Sequence, residues 1–395
     1  MATLLHAAQF LKMSLKFHWM LPKGGEVKPD GRQTPLEAAR YRIESMSTAS
    51  PAPKPDLEGW THCARHAEDA GLDSVLISFS RYEPDPFLVS CALGQAVKKL
   101  KFIIAYRSGL MQPTTFVQQM NTASALLQGR VSFNIVAGSS SEEQHGYGDF
   151  LSHDDRYARA EEFLAVCNAF WTGDQDVDFN GKHYRVEQGR LATPFVARET
   201  ESIGSDRARP AIYVSGHSEG SEQLAYSQGS CWLRVAEAPE KLAPIVAHAR
   251  SRGIGVCLRF CLVCRPTREE AISVAQSLLP TDRNESTTTL KDDSQMYREG
   301  KSLREDAHWL KPWLWTGLVP HYGPVWTTLL GTPREIADAL LEYGRIGVTE
   351  FIISGWPEVE TVDTLGREIL PLVRQGLGHD SVEPSAAAFP PRGKE

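Results

Sequence analysis

The chain has 395 residues, a net charge of −7 at neutral pH, 42% hydrophobic residues and 23% charged residues. These are ordinary values for a folded globular protein, and the lack of a basic excess argues against nucleic acid as a partner. The sequence contains no run of about 18 apolar residues, so no membrane-spanning helix is expected. The seven cysteines are scattered and odd in number, which favours a protein of the reducing cytoplasm.

Short apolar runs alternate with longer helical patterns along the whole chain. Eight runs are predicted to be strands: Leu15–Leu21, Ser74–Phe79, Lys101–Ala105, Val131–Val136, Ala211–Val214, Cys231–Val235, Val256–Cys264 and Glu350–Ser354. The helices between them carry boundary signals, such as the capping boxes that begin at Thr267 and Thr332. Eight strand-then-helix units favour a closed (β/α)8 barrel, the TIM barrel, over an open doubly wound sheet.

A single barrel domain is therefore expected over residues 14–375. Residues 1–13 lack the features of a signal peptide and are interpreted as an N-terminal extension. Polar segments that do not fit the alternation are predicted insertions, near residues 24–55, 198–209 and 280–311. Residues 376–395 are predicted to form a disordered tail.

Several common motifs are missing or misleading. The phosphate-binding pattern GxxxxGK[ST] and the dinucleotide pattern GxGxxG do not occur. Cys257, Cys261 and Cys264 lie close together, but in one extended apolar run rather than on a turn that folds back. We therefore expect them to be buried small hydrophobic residues and predict no metal site.

The segment Gly216–Gly220, GHSEG, follows the fifth predicted strand and opens a helix. It matches the GxSxG nucleophile elbow, in which Ser218 would be the nucleophile of a serine hydrolase. The same turn at a helix N-terminus also suits a phosphate dianion. A purely structural turn is a third alternative, and the residues by themselves leave all three open.

Several runs in a fixed order resemble the bacterial luciferase-like flavin monooxygenases, and most of all the alkanesulfonate monooxygenase branch. They are Leu21-Pro22, Arg107, Asn134–Gly138, His153–Tyr157, Asp178–His183, Thr316–Val319 and Ser354-Gly355. The resemblance implies a two-component enzyme in which a separate NAD(P)H-dependent flavin reductase supplies reduced FMN (FMNH2). In such enzymes O2 is the co-substrate, and a C4a-peroxyflavin oxygenates an organic substrate.

Carried over position by position, the resemblance assigns ten residues to the cofactor: Ala105, Asn134, Ala137, Gly138, His153, Tyr157, Ser215, Gly216, His217 and Ser218. The turn at residues 215–218 matches the family's phosphate loop, with His217 in place of a serine, and Tyr157 matches a tyrosine that contacts the phosphate. Structural alternatives stay open: Tyr157 as an aromatic on a helix face, Asn134 as a barrel amide, and Arg107 as one half of an ion pair that braces a loop.

The family's sulfonate-facing positions are mostly replaced in this chain. Arg259 matches a family arginine, but Cys261 stands where the family has a histidine, Glu83 where it has a cysteine, and Trp356 where it has a tyrosine. We assign these four residues to catalysis and to the shape of the pocket. Because a tetrahedral monoanion prefers several donors, we expect a substrate other than a simple alkanesulfonate, for example in a tailoring step on a specialised metabolite.

Other assignments compatible with these residues are desulfonation of a larger organosulfonate, a serine hydrolase that uses Ser218, and a barrel that holds flavin without turnover. A deazaflavin is an alternative to FMN. We further expect a small-molecule organic substrate, a cytoplasmic location, and a homodimer or homotetramer. No nucleic acid or membrane partner is expected.

Overall fold

The computed structural model describes residues 14–22, 55–81, 83–138, 140–198, 209–279, 295, 308–355 and 358–378. The predicted N-terminal extension, most of the three predicted insertions, nearly all of the predicted tail, and Trp356 lie outside the described residues.

The strands, numbered in chain order, are β1 (Lys16–Met20), β2 (Ser74–Ile77), β3 (Lys101–Tyr106), β4 (Val131–Ile135), β5 (Val177–Asn180), β6 (Arg185–Gly189), β7 (Ile212–Ser215), β8 (Cys231–Val235), β9 (Gly255–Cys264), β10 (Trp309–Lys311), β11 (Leu314–Trp315), β12 (Thr328–Gly331) and β13 (Glu350–Gly355). The helices are α1 (Leu57–Asp69), α2 (Pro86–Leu93), α3 (Pro113–Leu126), α4 (Ser141–Gly146), α5 (His153–Thr172), α6 (Glu219–Gln228), α7 (Pro239–Ser251), α8 (Arg268–Ser277), α9 (Val319–Tyr322), α10 (Pro333–Arg345), α11 (Glu358–Thr364) and α12 (Leu370–Gly376), with a π-helical turn at Leu365–Ile369.

Eight parallel strands close into a barrel in the order β1, β2, β3, β4, β7, β8, β9, β13. The pairing of β8 with β9 completes the ring, and an open doubly wound sheet would lack it. The (β/α)8 barrel is therefore confirmed, and each of the eight predicted strands is a strand of the barrel. Both capping boxes, at Thr267 and Thr332, are also present.

Alternation along the strands separates two apolar regions. Side chains such as Met20, Ile103 and Leu233 fill the inside of the barrel. Their outward neighbours, among them Phe102 and Phe133, pack beneath the helices. Because parallel strands of this kind are buried on both faces, their sequences are nearly continuous apolar runs.

β9 is ten residues long and has two successive neighbours on one side. Its first half pairs with β8, which ends at Val235 opposite Arg259. Beyond that point β12 takes the place of β8, with Thr328 opposite Cys261. β11 and β10 then continue antiparallel from β12. These short strands have no alternating apolar pattern, so the sequence did not predict them, and β10 lies at the end of the third predicted insertion.

A buried polar cluster joins four strands near the amino-terminal end of the barrel. The Glu350 carboxylate accepts a hydrogen bond from the Tyr213 hydroxyl at 2.6 Å, and it lies 2.9 Å from His18 Nε2 and 3.3 Å from Lys16 Nζ. His18 Nδ1 in turn lies 2.5 Å from Ser74 Oγ. Burial by itself would raise the pKa of Glu350, but the His18 contact, the Lys16 charge and the Tyr213 hydrogen bond lower that pKa to about 2.

Replacing this carboxylate should destabilise the barrel in a pH-dependent way. Because the folded pKa of Glu350 lies below its usual value of 4.5, its stabilising effect is complete above that value and is lost as the pH falls toward 2. We expect Glu350→Gln to lower the free energy of unfolding by about 3 kcal/mol at neutral pH. Urea unfolding followed by circular dichroism measures the change.

The pH series supplies the check on this assignment. The wild type should lose more stability than Glu350→Gln between about pH 5 and about pH 3, because only the wild type has this carboxylate to protonate. Glu187→Gln is the control, since Glu187 is an exposed partner of Arg185 and surface pairs contribute little. Parallel pH profiles for Glu350→Gln and the wild type would contradict the role of Glu350.

Candidate active site

The carboxyl ends of the barrel strands meet at one mouth, where (β/α)8 enzymes carry their sites. Ala105 and Asn134 lie there on neighbouring strands, opposite each other in register, and both are buried. The side-chain carbonyl of Asn134 accepts a hydrogen bond from Ser215 Oγ at 2.7 Å. Because that contact occupies the carbonyl, the NH2 group of Asn134 is the part of the amide that can donate to a ligand.

The chain leaves β4 through Ala137 and Gly138. The Ala137 carbonyl accepts a hydrogen bond from Arg156 Nε at 3.0 Å, which fixes this exit. Gly138 has a φ of +87°, and a Cβ built there would lie 1.6 Å from Nε2 of the buried Gln144. The backbone conformation therefore favours glycine at position 138, and a larger residue would also displace the end of the Gln144 side chain.

β7 leads through Gly216 into α6, whose N-cap is Ser218. Ser218 Oγ accepts a hydrogen bond from the Ser221 N–H at 3.3 Å. The backbone N–H groups of Glu219 and Gly220 have no acceptor within the helix. The turn therefore presents backbone donors and the positive end of a helix dipole at the mouth of the barrel.

Tyr157 of α5 covers this turn. Its hydroxyl lies beside the side chains of Ser218 and Ser221. A Cβ on Gly216 would lie 2.9 Å from that hydroxyl, and a Cβ on Gly220 would lie 3.0 Å from the tyrosine ring. Burial raises the pKa of Tyr157 although the two serine contacts lower it, so the hydroxyl stays protonated at neutral pH.

The two histidines predicted to bind the cofactor have different surroundings. His153 meets Tyr157 edge to face, with ring centroids 5.0 Å apart, and its Nδ1 lies 3.1 Å from the exposed Asp154. His153 therefore contacts Tyr157, which in turn covers the turn at residues 215–218. His217 directs its imidazole toward β8, where Nε2 accepts a hydrogen bond from the Val235 N–H at 3.0 Å. That nitrogen of His217 consequently carries no proton.

Arg259 and Cys261 share one face of β9. Arg259 is half-buried and lies opposite Ile352 in register. Cys261 Sγ lies 3.3 Å from Ser354 Oγ and donates to the Val325 carbonyl at 3.5 Å. Burial raises the pKa of Cys261 to about 11, although Ser354 and Arg259 lower it. The sulfur is therefore a neutral thiol at pH 7 rather than a thiolate nucleophile.

The other two residues assigned to catalysis do not join this pair in the described structure. Glu83 follows β2, three strands around the barrel from β9. Its half-buried carboxylate accepts a hydrogen bond from Ser78 Oγ at 2.5 Å. Trp356 lies outside the described residues. Of the four, the described structure brings together Arg259 and Cys261.

Arg107 forms an ion pair in the wall above β3 with a partner that the sequence did not identify. Arg107 Nη2 donates to Glu143 at 2.7 Å, with both side chains buried, and the guanidinium lies 5.2 and 5.8 Å from the ring centroids of Phe79 and Tyr147. The second oxygen of Glu143 accepts from the Arg81 N–H at 2.9 Å. One carboxylate thus ties together the loops after β2, β3 and β4. Arg107 occupies the bracing role that was one of its two alternatives, and no motif or spacing pointed to its partner.

The described residues contain neither a membrane-spanning helix nor a cation site of obvious form. None of their helices is both long and apolar enough to cross a bilayer. In the same residues, no group of three or more His, Cys, Asp or Glu side chains is arranged to hold a metal ion. Cys257, Cys261 and Cys264 are buried thiols.

The family follows from comparison with known proteins. The family model described as luciferase-like monooxygenase matches residues 38–350. The chain therefore belongs to the luciferase-like monooxygenase family.

Solved structures with the same fold include the EDTA monooxygenase EmoA from Chelativorans sp. BNC1, which is 18% identical, with a TM-score of 0.70 and coverage of 92% of this chain and 94% of that one. Riboflavin lyase RcaE, solved with modified FMN and riboflavin, is 20% identical, with a TM-score of 0.67 and coverage of 92% of both chains. The long-chain alkane monooxygenase LadA is 18% identical, with a TM-score of 0.67 and coverage of 94% and 93%.

Removing Arg107 should leave the Glu143 carboxylate buried without its cation. We expect Arg107→Met to lower the free energy of unfolding by about 3 kcal/mol. The double variant Arg107→Met/Glu143→Gln removes both charges and should recover most of that loss. Urea unfolding of the wild type, both single variants and the double variant forms a complete cycle. Strictly additive effects in this cycle would contradict the ion pair.

Proposed function

We propose that the protein is a two-component monooxygenase that binds reduced FMN and uses O2 to oxygenate an organic substrate other than a simple alkanesulfonate. A separate NAD(P)H-dependent flavin reductase would supply the reduced flavin. The observation that carries the proposal is the turn from Gly216 into α6 beneath Tyr157, in a chain of the luciferase-like monooxygenase family.

The donors at this turn fit the phosphate of FMN. The N-terminal N–H groups of α6 carry partial positive charge, and Ser218 and Tyr157 place two hydroxyls beside them. Glu222, an acidic residue in the first turn of α6, is held by the Tyr226 hydroxyl at 2.7 Å. The Glu222 carboxylate is thus held by Tyr226, which lies one helical turn further from the N-terminus of α6.

Residues at the ends of β3 and β4 would hold the isoalloxazine ring. Ala105 has a small side chain, so the ring can approach the backbone closely there. At Gly138, Gln144 fills the side-chain space, so this residue would contribute its backbone to the cofactor site. The NH2 group of Asn134 offers a donor to a ring carbonyl or ring nitrogen. Bound reduced flavin would supply the reaction with O2, in which one oxygen atom enters the substrate and the other leaves as water. The chain would orient the ring and exclude solvent from it.

The substrate end of the site supports a ligand without a sulfonate. Arg259 is proposed to supply positive charge there, Cys261 and Trp356 to shape the wall, and Glu83 to act as a base or hydrogen-bond partner. A sulfonate prefers several donors, whereas Arg107 beside the mouth is already paired with Glu143. Arg259 by itself would bind such an anion weakly.

The serine hydrolase alternative receives less support. Its nucleophile would need an imidazole base beside Ser218, whereas Ser218 caps α6 and its side chain lies beside the Tyr157 hydroxyl. His217 Nε2, the nitrogen that such a base would use, accepts from the Val235 N–H.

The predicted homodimer or homotetramer stays a prediction.

Ser218→Ala separates a phosphate cradle from a nucleophile elbow. Loss of the cap and of one hydroxyl should weaken FMN binding by about 3- to 10-fold, measured by titration of flavin fluorescence. Ser227→Ala is the matched control, because Ser227 lies on the same helix and its hydroxyl donates to the Leu224 carbonyl. Labelling of the wild type by a fluorophosphonate at Ser218, with unchanged FMN affinity in Ser218→Ala, would establish the hydrolase instead.

A coupled assay tests the substrate class. With a flavin reductase, NADH, FMN and O2, we expect no sulfite release from ethanesulfonate or octanesulfonate, because Arg259 is the one cation that we assign to the substrate end among the described residues. Sulfite release at about 1 per second or faster would contradict the proposal. Sulfite from a bulky aromatic sulfonate only would establish the organosulfonate alternative, and binding of reduced deazaflavin but not of reduced FMN would establish the other cofactor.

A further inference from the structure

We propose that Trp232 of β8 is a positioning residue that shapes the turn at residues 215–218 and thereby sets a preference for flavin that carries a phosphate over riboflavin. Trp232 would not touch the cofactor. The inference rests on the proposed function, because it concerns the same phosphate site.

Both hydrogen-bonding groups of Gly216 are directed to β8. The Trp232 indole N–H donates to the Gly216 carbonyl at 2.9 Å, and the Gly216 N–H donates to the Leu233 carbonyl at 3.2 Å. Gly216 has a φ of +145°, a conformation that only glycine adopts readily. Without the indole contact, the flexible peptide that follows Gly216 would lose the donor that fixes its orientation.

The orientation of that peptide matters for an anion. In a planar trans peptide, the carbonyl of Gly216 and the N–H of His217 point in opposite directions. By holding the carbonyl on β8, Trp232 turns the His217 N–H away from β8. A rotation of the peptide by 180° would instead turn the carbonyl oxygen, with its partial negative charge, to the side on which the N–H now lies. The indole contact thus favours the form of the turn that attracts a dianion.

The next residue of the turn is held by the same strand. His217 Nε2 accepts from the Val235 N–H at 3.0 Å. Trp232, Leu233 and Val235 therefore each contribute one contact to the turn, and all three come from one short strand of the barrel wall. The contacts that shape the turn come from the chain itself, which reduces the entropy that binding must overcome.

Trp232 itself has little freedom to move. It is 2% exposed. The guanidinium of Arg234 lies 4.4 Å from its ring centroid, and Tyr226 of α6 meets it edge to face at 5.9 Å. The donor is consequently fixed by packing against Arg234 and Tyr226. Its function can be separated from its volume by a variant that keeps an aromatic ring.

Trp232→Phe keeps a ring at this position and removes the N–H. By isothermal titration calorimetry we expect its affinity for FMN to fall by about 5- to 10-fold, and its affinity for riboflavin to stay within about twofold of the wild-type value. The ratio of the two affinities is the decisive quantity, because a general loosening of the barrel would weaken both ligands together.

Trp171→Phe is the matched control. Trp171 is also buried, and its indole N–H donates to Asn121 Oδ1 at 2.9 Å, away from the turn. It should lose comparable stability and keep the wild-type ratio. Should Trp232→Phe fail to fold, replacement of Trp232 by the isostere 3-benzothienylalanine removes the same N–H and preserves the bicyclic shape.

The outcomes separate this inference from the proposed function. Equal affinity of the wild type for FMN and riboflavin would overturn the phosphate site, and with it both proposals. A wild-type preference for FMN that persists in both Trp232 variants would overturn the positioning role and leave the phosphate site standing. An equal loss of preference in Trp171→Phe would also overturn the positioning role.

Discussion

Closure of eight parallel strands determines where each functional side chain of this protein lies. Because all eight strands point the same way, the residues that follow them meet at one mouth, while apolar side chains such as Ile103 and Leu233 fill the interior. The Glu350 carboxylate acts toward the other end, where it connects β13 to β1 and β7. The Glu350 cluster and the candidate chemistry therefore lie at opposite ends of the same barrel.

β8 links the closure of the barrel to the candidate site. It completes the ring by pairing with β9, and three of its five residues, Trp232, Leu233 and Val235, hold the turn that precedes α6. When β8 ends at Val235, the remaining edge of β9 passes to β12. The boundary between these two neighbours falls between Arg259 and Cys261, so the two residues proposed for the substrate end lie where the wall of the barrel changes partner.

The sequence was sufficient to predict the eight barrel strands and insufficient to predict most side-chain partnerships. Strands such as Val131–Ile135 are buried on both faces, so burial leaves a local apolar run that can be recognised. The pairing of Arg107 with Glu143 depends on how two loops meet in space, and no local pattern records it. The turn at Gly216 was recognised by resemblance, but its dependence on Trp232 was not, because a tryptophan in an apolar strand looks like ordinary core. The roles of Arg259, Cys261, Glu83 and Trp356 stay predictions.

The neutral Arg107–Glu143 pair bears on how this pocket can change during evolution. The guanidinium already lies against two aromatic rings beside the mouth, and a single carboxylate balances its charge. Replacement of Glu143 by glutamine would leave the buried Arg107 cation without its counter-charge and would lower the stability of the protein. An anionic ligand that binds beside Arg107 would offset this loss. A single-nucleotide change could therefore turn this uncharged wall into an anion-binding site. The stability of the resulting variant would depend on the anion that it binds.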